Sequence, residues 1–207
     1  SGSVVKSHTG HEFILMDATF IDQYQKIKRG PQIIPDKDIG SIIVTCGITR
    51  DSVIVDAGAG SGSLSIALGM IAKKVYTFDV REDHLAIVKK NLETLGVKNV
   101  VAKLHNIYES IPHKDVDVVT LDVPEPWEAI ESAVSALKVG GWLVSYSPCM
   151  PQVGDFVNKV HDTEQLEHIK TIEIVQRDWE VKGRKIRPMS RTNIHSGFLS
   201  FTRKIKN

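Results

Sequence analysis

Residues 53–62 read Val-Ile-Val-Asp-Ala-Gly-Ala-Gly-Ser-Gly, an apolar run that passes without a break into three alternating glycines. The spacing predicts a buried strand over Ser52–Asp56, a turn over Asp56–Gly62 and a helix over about Leu64–Ala72. Glycines between a strand and a helix let the backbone turn sharply and let a ligand approach without meeting Cβ atoms. A turn that cradles a dinucleotide pyrophosphate is spaced G-x-G-x-x-G. Here Gly58, Gly60 and Gly62 are spaced G-x-G-x-G, and an acid, Asp56, stands two before the first of them.

Outward from this turn the chain keeps an alternating rhythm. Lys74–Asp79 reads as a strand, and Glu82–Leu95 as a helix with Leu85, Val88 and Leu92 on one face. Val100–Leu104 and Val116–Leu121 are further strands, Glu128–Leu137 a helix, and Gly140-Gly141 turn into a strand over Trp142–Tyr146. Strands rich in Val and Ile that alternate with helices imply a parallel sheet covered on both faces. The rhythm then breaks. After a helix over about Val153–His161, strand-like Ile169–Val175 and Gly197–Thr202 are joined by a basic loop with no helix. A doubly wound α/β sheet that closes on an antiparallel strand is the arrangement of class I SAM-dependent methyltransferases, a Rossmann-like mixed sheet of seven strands. Before Ser52 the chain differs. Gly2–Lys6 and Glu12–Met16 flank Ser7-His8-Thr9-Gly10 as a small hairpin, mixed residues 17–29 suit a short helix, and Ile39–Val44 suits a helix closed by Gly47.

Composition narrows the class. The 207 residues are 42% hydrophobic and 25% charged, and 26 Lys plus Arg nearly cancel 25 Asp plus Glu to leave +1. That balance excludes a histone-like basic protein and an acidic disordered chain. No apolar run approaches the ~18 residues of a membrane span, and no signal peptide opens the sequence. Cys46 and Cys149 form no CxxC or zinc pattern, which points to two buried thiols in an intracellular, cytoplasmic protein. No clustered ligand set suggests a metal; His8 and His11 read as surface histidines beside a turn.

The glycine spacing resembles the turn that binds S-adenosylmethionine (SAM). Asp79 lies 23 residues after Asp56, at a strand end where a carboxylate can accept from both ribose hydroxyls. Asn106-Ile107 follow the next strand, where such enzymes hold the adenine. The strand Val116–Leu121 runs into Asp122-Val123-Pro124-Glu125-Pro126-Trp127, whose prolines stiffen the loop carrying Asp122 at the carboxyl edge of the sheet.

With these, the runs Lys28–Ile34, DAGAGSGSLS (56–65), FDVRED (78–83), NIYES (106–110), LDVPEPW (121–127), YSPCMPQV (146–153) and RPMSRTNIHSGFLSFTRK (187–204) fall in one order. In that set the chain resembles the TrmI family, tRNA adenine-N1 methyltransferases that act on position 58 of the T-loop, with an archaeal branch that also takes position 57. The resemblance implies that Gln32 folds over the methionine end of SAM. It makes Gly58, Gly60, Ser61, Gly62, Ser63 and Leu64 the cofactor loop and gives the ribose to Asp79. Asn106 and Ile107 would flank the adenine, and Asp122 would be the catalytic carboxylate and a cofactor contact as well. It implies tRNA as partner and a homo-oligomer, a tetramer. It also reads residues 1–16 as the tail of a small N-terminal β domain, truncated here, ahead of a catalytic domain over 17–207. Two departures stand out. Asp79 replaces a frequent Glu, and Pro35-Asp36 stand before Lys37-Asp38 where the family often has Tyr or His followed by Pro.

Charge distribution supports a nucleic-acid partner. From Arg177 to Asn207 nine cations face only Asp178 and Glu180, a net of +7 against −6 for the rest of the chain. Arg184, Lys185 and Arg187 are the expected phosphate contacts. Two other functions share the fold: a non-catalytic tRNA-binding subunit, and a methyltransferase for a small molecule such as a corrin precursor or for protein isoaspartate. The first should have lost the glycines or Asp122; the second has no need of DVPEPW or the basic tail.

Overall fold

The computed structural model describes residues 2–28, 30, 33–190 and 195–207. Strands β1 (Ser3–Lys6) and β2 (Glu12–Leu15) pair antiparallel as the expected hairpin. Helix α1 (Phe20–Tyr24) starts where Asp22 Oδ2 accepts from the Thr19 amide at 2.8 Å, and α2 (Asp36–Cys46) ends on left-handed Gly47. The α2 helix begins three residues before the stretch expected from sequence, with Pro35 at its N-cap.

The alternating unit then follows as β3 (Val53–Ala57), α3 (Ser63–Gly69), β4 (Lys74–Asp79), α4 (Glu82–Leu95), β5 (Val100–Leu104) and β6 (Val116–Leu121). A 3₁₀ turn over Pro126–Ala129 leads into α5 (Ile130–Ala136), β7 (Leu137–Ser147), α6 (Met150–His161) and β8 (Leu166–Glu173). The chain closes with β9 (Trp179–Lys182), β10 (Lys185–Pro188) and β11 (Phe198–Lys204). The main sheet has seven strands in the order β5-β4-β3-β6-β7-β11-β8. Its first five are parallel, and β11 runs antiparallel to both β7 and β8.

Period-two alternation puts the two faces of each central strand into different cores. Ile54, Val75 and Val118 pack under α2, α3 and α4 beside Ile42, Leu64 and Val88. Val55, Phe78, Val119 and Leu121 pack on the opposite face, against Ile130, Ala133 and Phe156 of α5 and α6. With both faces covered, the strands read as continuous Val/Ile runs.

Three expectations need correction. Strand β7 begins at Leu137, not Trp142, because Gly140 and Gly141 lie inside it. A Cβ on Gly141 would sit 2.9 Å from the Lys138 carbonyl oxygen and 3.2 Å from that of Asp117, and the β6–β7 register shifts between Val116 and Val118. The basic stretch after β8 is a hairpin rather than a loop. Its register pairs Val181 with Ile186 and Trp179 with Pro188 on one face, and Glu180 with Arg187 and Lys182 with Lys185 on the other. Finally, only Cys46 is buried; Cys149 is exposed, and both are free.

The N-terminal segment is tied to the glycine turn by α4. Buried Asn91 donates through Nδ2 to the carbonyls of Lys28 and Ser61, both at 2.9 Å, and its Oδ1 accepts from the Lys28 amide at 3.1 Å. The Tyr24 hydroxyl adds a donated bond to the Ser63 carbonyl at 3.0 Å. Replacing Asn91 by Ala strands the buried Ser61 carbonyl and removes both bonds to the exposed Lys28 backbone, so Asn91→Ala should lower the unfolding free energy by about 1–3 kcal/mol in a urea titration. A loss under 0.5 kcal/mol would show that water replaces the amide without cost.

Candidate active site

At the carboxyl edge the core-facing positions of three adjacent strands turn polar. Asp56 of β3 is registered with Thr77 of β4 and with Thr120 of β6. Thr77 Oγ1 donates to Asp56 Oδ2 and Thr120 Oγ1 to Oδ1, each at 2.8 Å, forming one rung across the centre of the sheet. Asp56 is 1% exposed. Burial raises its pKa to about 6 although both hydroxyls favour the charged form, and the neighbouring charge of Asp79 adds to the rise.

Directly above the rung the β3–α3 loop turns on glycines whose φ angles are +89°, +52° and +80° at 58, 60 and 62. Gly58 leaves no choice of residue. A Cβ there would lie 1.9 Å from the carbonyl oxygen of Asp122, at a φ that L side chains avoid. The loop is fixed by the amides of Gly58 and Ala59, which both donate to the Phe78 carbonyl at 3.0 Å, and by the Gly60 amide, which donates to Asp79 Oδ2 at 3.0 Å. Asp79 also receives the Arg81 amide on Oδ1 and lies 3.0 Å from His84 Nδ1, so three of its roughly four acceptor positions are taken.

These elements line an open cleft. Of the residues expected to bind cofactor, Gly58, Gly60, Ser61, Ser63, Leu64 and Asp122 line it. Asp79 braces the loop from behind. Asn106 lies past the end of β5, its Nδ2 donating to Glu109 at 3.0 Å and its Oδ1 accepting from the Tyr108 amide at 3.2 Å. The Ile107 side chain is buried in the α5–α6 core. Neither residue lines the cleft, and Gln32 falls outside the described residues. Four wall residues were given no binding role from sequence, Ile33, Ile34, Asp56 and Ala59. The signal for Asp56 was present. Both threonines of the rung stand two before an aspartate at the carboxyl end of their strand, Asp79 as the last residue of β4 and Asp122 as the first after β6.

Asp122 follows β6, its amide donating to the Ala57 carbonyl at 2.8 Å. Its carboxyl opens to solvent through the mouth of the cleft while protein crowds its other sides. That crowding, then the nearby Asp56, raises its pKa to about 7. The Ser61 hydroxyl, in the same wall, is buried and has no hydrogen-bond partner among the described residues. A cleft with two carboxyls, an orphaned hydroxyl and a Cβ-free cradle fits a ligand with cationic centres and a polar amino-acid end. SAM is such a ligand.

Residues 24–196 match the family described as tRNA methyltransferase complex GCD14 subunit. The chain belongs to the GCD14 family. The resemblance to TrmI read from its motifs holds: it is 34% identical to the Methanocaldococcus jannaschii tRNA (adenine(57)-N(1)/adenine(58)-N(1))-methyltransferase TrmI, covering 98% of this chain and 82% of that protein. The fold superposes on a SAM-dependent O-methyltransferase from Thermotoga maritima with a TM-score of 0.90 and 27% identity, covering 100% of this chain and 78% of that one. It superposes on the tRNA (m1A58) methyltransferase TrmI of Aquifex aeolicus with a TM-score of 0.84, covering 98% and 81%; at 24% identity this second likeness speaks for the fold alone. The methyl donor of this chain is SAM.

The raised carboxyl has a consequence for stability. A group that ionises at 3.8 when free and about 7 when folded holds extra protons in the folded state, so its contribution is full below pH 4 and lost as pH rises through 7. Asp122→Asn removes that loss. The variant should match the wild type near pH 4 and exceed it at pH 8 by ~1 kcal/mol, a figure discounted for solvent on the open side. Urea unfolding at the two pH values measures it, and equal stabilities at pH 8 would place Asp122 in an ordinary aqueous setting.

Proposed function

We propose that this protein is a SAM-dependent methyltransferase that modifies N1 of adenine 58 in the tRNA T-loop, with Asp122 as its catalytic carboxylate. The observation that carries the reading is the contact between Gly58 and the Asp122 carbonyl. It brings the DVPEPW loop into the wall of the glycine-turn cleft. The family and the M. jannaschii relative support the substrate.

In this reading the loop from Gly58 through Gly60, Ser61, Gly62, Ser63 and Leu64 holds the aminoacyl end of SAM. Asp79 takes the ribose in its remaining acceptor position, sharing it with His84, while Asn106 and Ile107 border the adenine and Gln32 covers the methionine end. SAM supplies an electrophilic methyl group on a sulfonium. Adenine N1 has its own lone pair, so no base needs to act before attack, and the work of the chain is orientation and electrostatics. The Asp122 carboxylate accepts from the exocyclic amine, which aims N1 and offsets the positive charge that develops on the base. The target nucleotide must leave its stack, at a cost of a few kcal/mol.

Phosphate binding falls to the β9–β10 hairpin. Lys185 and Arg187 share Glu180, at 2.7 and 3.3 Å, and Arg184 is exposed at the turn, so tRNA phosphates compete with one carboxylate for two of the three cations. The hairpin's other face exposes Trp179, Val181 and Ile186, an apolar surface suited to assembly of the proposed homotetramer. Residues 1–16 fit the tail of a small β domain and 17–207 the catalytic domain of a cytoplasmic enzyme. Among the described residues, no helix is long and apolar enough to cross a membrane.

The likeness to the Thermotoga O-methyltransferase favours a second reading, a small hydroxylated acceptor, for which a carboxyl near neutrality could serve as base. One experiment separates the two. Unmodified tRNA incubated with protein and SAM should yield 1-methyladenosine in its T-loop fragment by mass spectrometry. Asp122→Ala should slow single-turnover methylation by about 10²–10³, the scale of losing one preorganised electrostatic partner, with SAM affinity changed far less. Unmethylated tRNA with the wild type, or full activity in the variant, would overturn the assignment.

A further inference from the structure

Three motifs of the sequence, NIYES, DVPEPW and YSPCMPQV, meet at a single peptide bond. Between Asp122 and Trp127 the chain reads Val-Pro-Glu-Pro, and the two prolines fix their own φ and restrict the residue before each. The plane that can still turn is the peptide joining Pro124 to Glu125, about ψ of the first and φ of the second. Both of its polar ends are gripped by side chains. Gln152 Nε2 donates to the Pro124 carbonyl at 2.8 Å, and the Glu125 amide donates to the Tyr108 hydroxyl at 3.3 Å. A trans peptide points its C=O and N–H in opposite directions, so the two side chains hold the plane from opposite sides.

Each grip is itself aimed. A carbonyl only accepts, so the amide nitrogen of Gln152 must face Pro124, which leaves Oε1 to accept from the Cys149 thiol at 3.2 Å. The Tyr108 amide donates to Asn106 Oδ1 at 3.2 Å. The inner end of the loop is fastened separately, by the Asp122 amide on the Ala57 carbonyl and by the Asp122 carbonyl against Gly58. The loop thus has an inner anchor in the wall of the cofactor cleft. Its outer anchor, at exposed Pro124 and Glu125, is built from Gln152 and Tyr108, which do not line that cleft.

We propose that Gln152 and Tyr108 are positioning residues for the acceptor, holding the outer part of the DVPEPW loop in the orientation that seats the incoming base beside Asp122. The inference rests on the function proposed above, in which the base meets Asp122 at the mouth of the cleft. Freed from either side chain, the peptide can turn over and the rim moves, while the cofactor wall stays fixed at Ala57 and Gly58. Because both bonds hold one plane, losing the second after the first adds little.

Two variants test this in the full chain. Gln152→Glu keeps the size of the side chain, but an ionised carboxylate cannot donate; Tyr108→Phe keeps the ring without the hydroxyl. With saturating SAM and tRNA, each should slow single-turnover methylation by about 3–10-fold, the range of one neutral hydrogen bond, while SAM affinity by calorimetry stays within about two-fold. The double variant should be about as slow as the worse single, where independent sites would multiply. Exchange of the Glu125 amide, followed by NMR of isotope-labelled protein, needs no substrate. It should quicken by about 3–10-fold in Gln152→Glu, although Gln152 bonds to the other end of the plane. Wild-type rates in the single variants, a multiplied loss in the double, a matching loss of SAM affinity, or a Glu125 amide unmoved by Gln152→Glu would each overturn the proposal. Wild-type protein that leaves tRNA unmethylated while this amide still responds would overturn the function above and the acceptor role with it, and the two-sided grip on the peptide would stand.

Discussion

The carboxyl edge of this sheet depends on one close approach, the backbone of Gly58 against the carbonyl of Asp122. Two chain segments from neighbouring strands can lie this near only if one carries no side chain. That contact narrows the gap between β3 and the loop after β6, so the glycine turn and the DVPEPW motif share a wall instead of flanking a wide crevice. Asp79 and Phe78 of β4 then hold the turn from the other side through backbone amides. Three strands thus determine the position of a loop that would have many conformations alone.

Much of this was legible in the residues. Glu82–Leu95, Val100–Leu104 and Val116–Leu121 occupy the spans their periodicity predicts, because each has one strong pattern and clear breakers at its ends. The β9–β10 hairpin was hidden by composition. Trp179-Glu180-Val181-Lys182 alternates as a strand should, but its second arm, Lys185–Pro188, carries two cations and a proline, which hide the alternation. The Gly140-Gly141 pair misled for a different reason. Glycines commonly end strands, and only the tight fit of Gly141 between Lys138 and Asp117 carbonyls explains why these two sit within one.

The site was legible in its loops and obscure in its floor. Glycine spacing and the proline-flanked Asp122 are local signals. The bond pattern of Asp56 is not, since its partners lie 21 and 64 residues away along the chain and meet it only through sheet register. Threonine is at home in any strand, so neither Thr77 nor Thr120 draws notice until the strands are laid side by side. Cys149 shows the reverse error: a residue type that is usually buried lies exposed at the start of α6, where its thiol meets the Gln152 side chain.

The Thr77–Asp56–Thr120 rung bears on how such a site can be transplanted. A glycine loop copied into another protein would arrive without the two hydroxyls that hold its preceding aspartate, and a buried carboxylate stripped of its donors destabilises its host. Nor can one member be exchanged alone. Valine at either threonine leaves an acceptor bare, and asparagine at 56 turns an amide group toward a hydroxyl that must then reverse its own bond. The smallest portable unit is three parallel strands in register, and any lineage that alters this floor has to change its residues together.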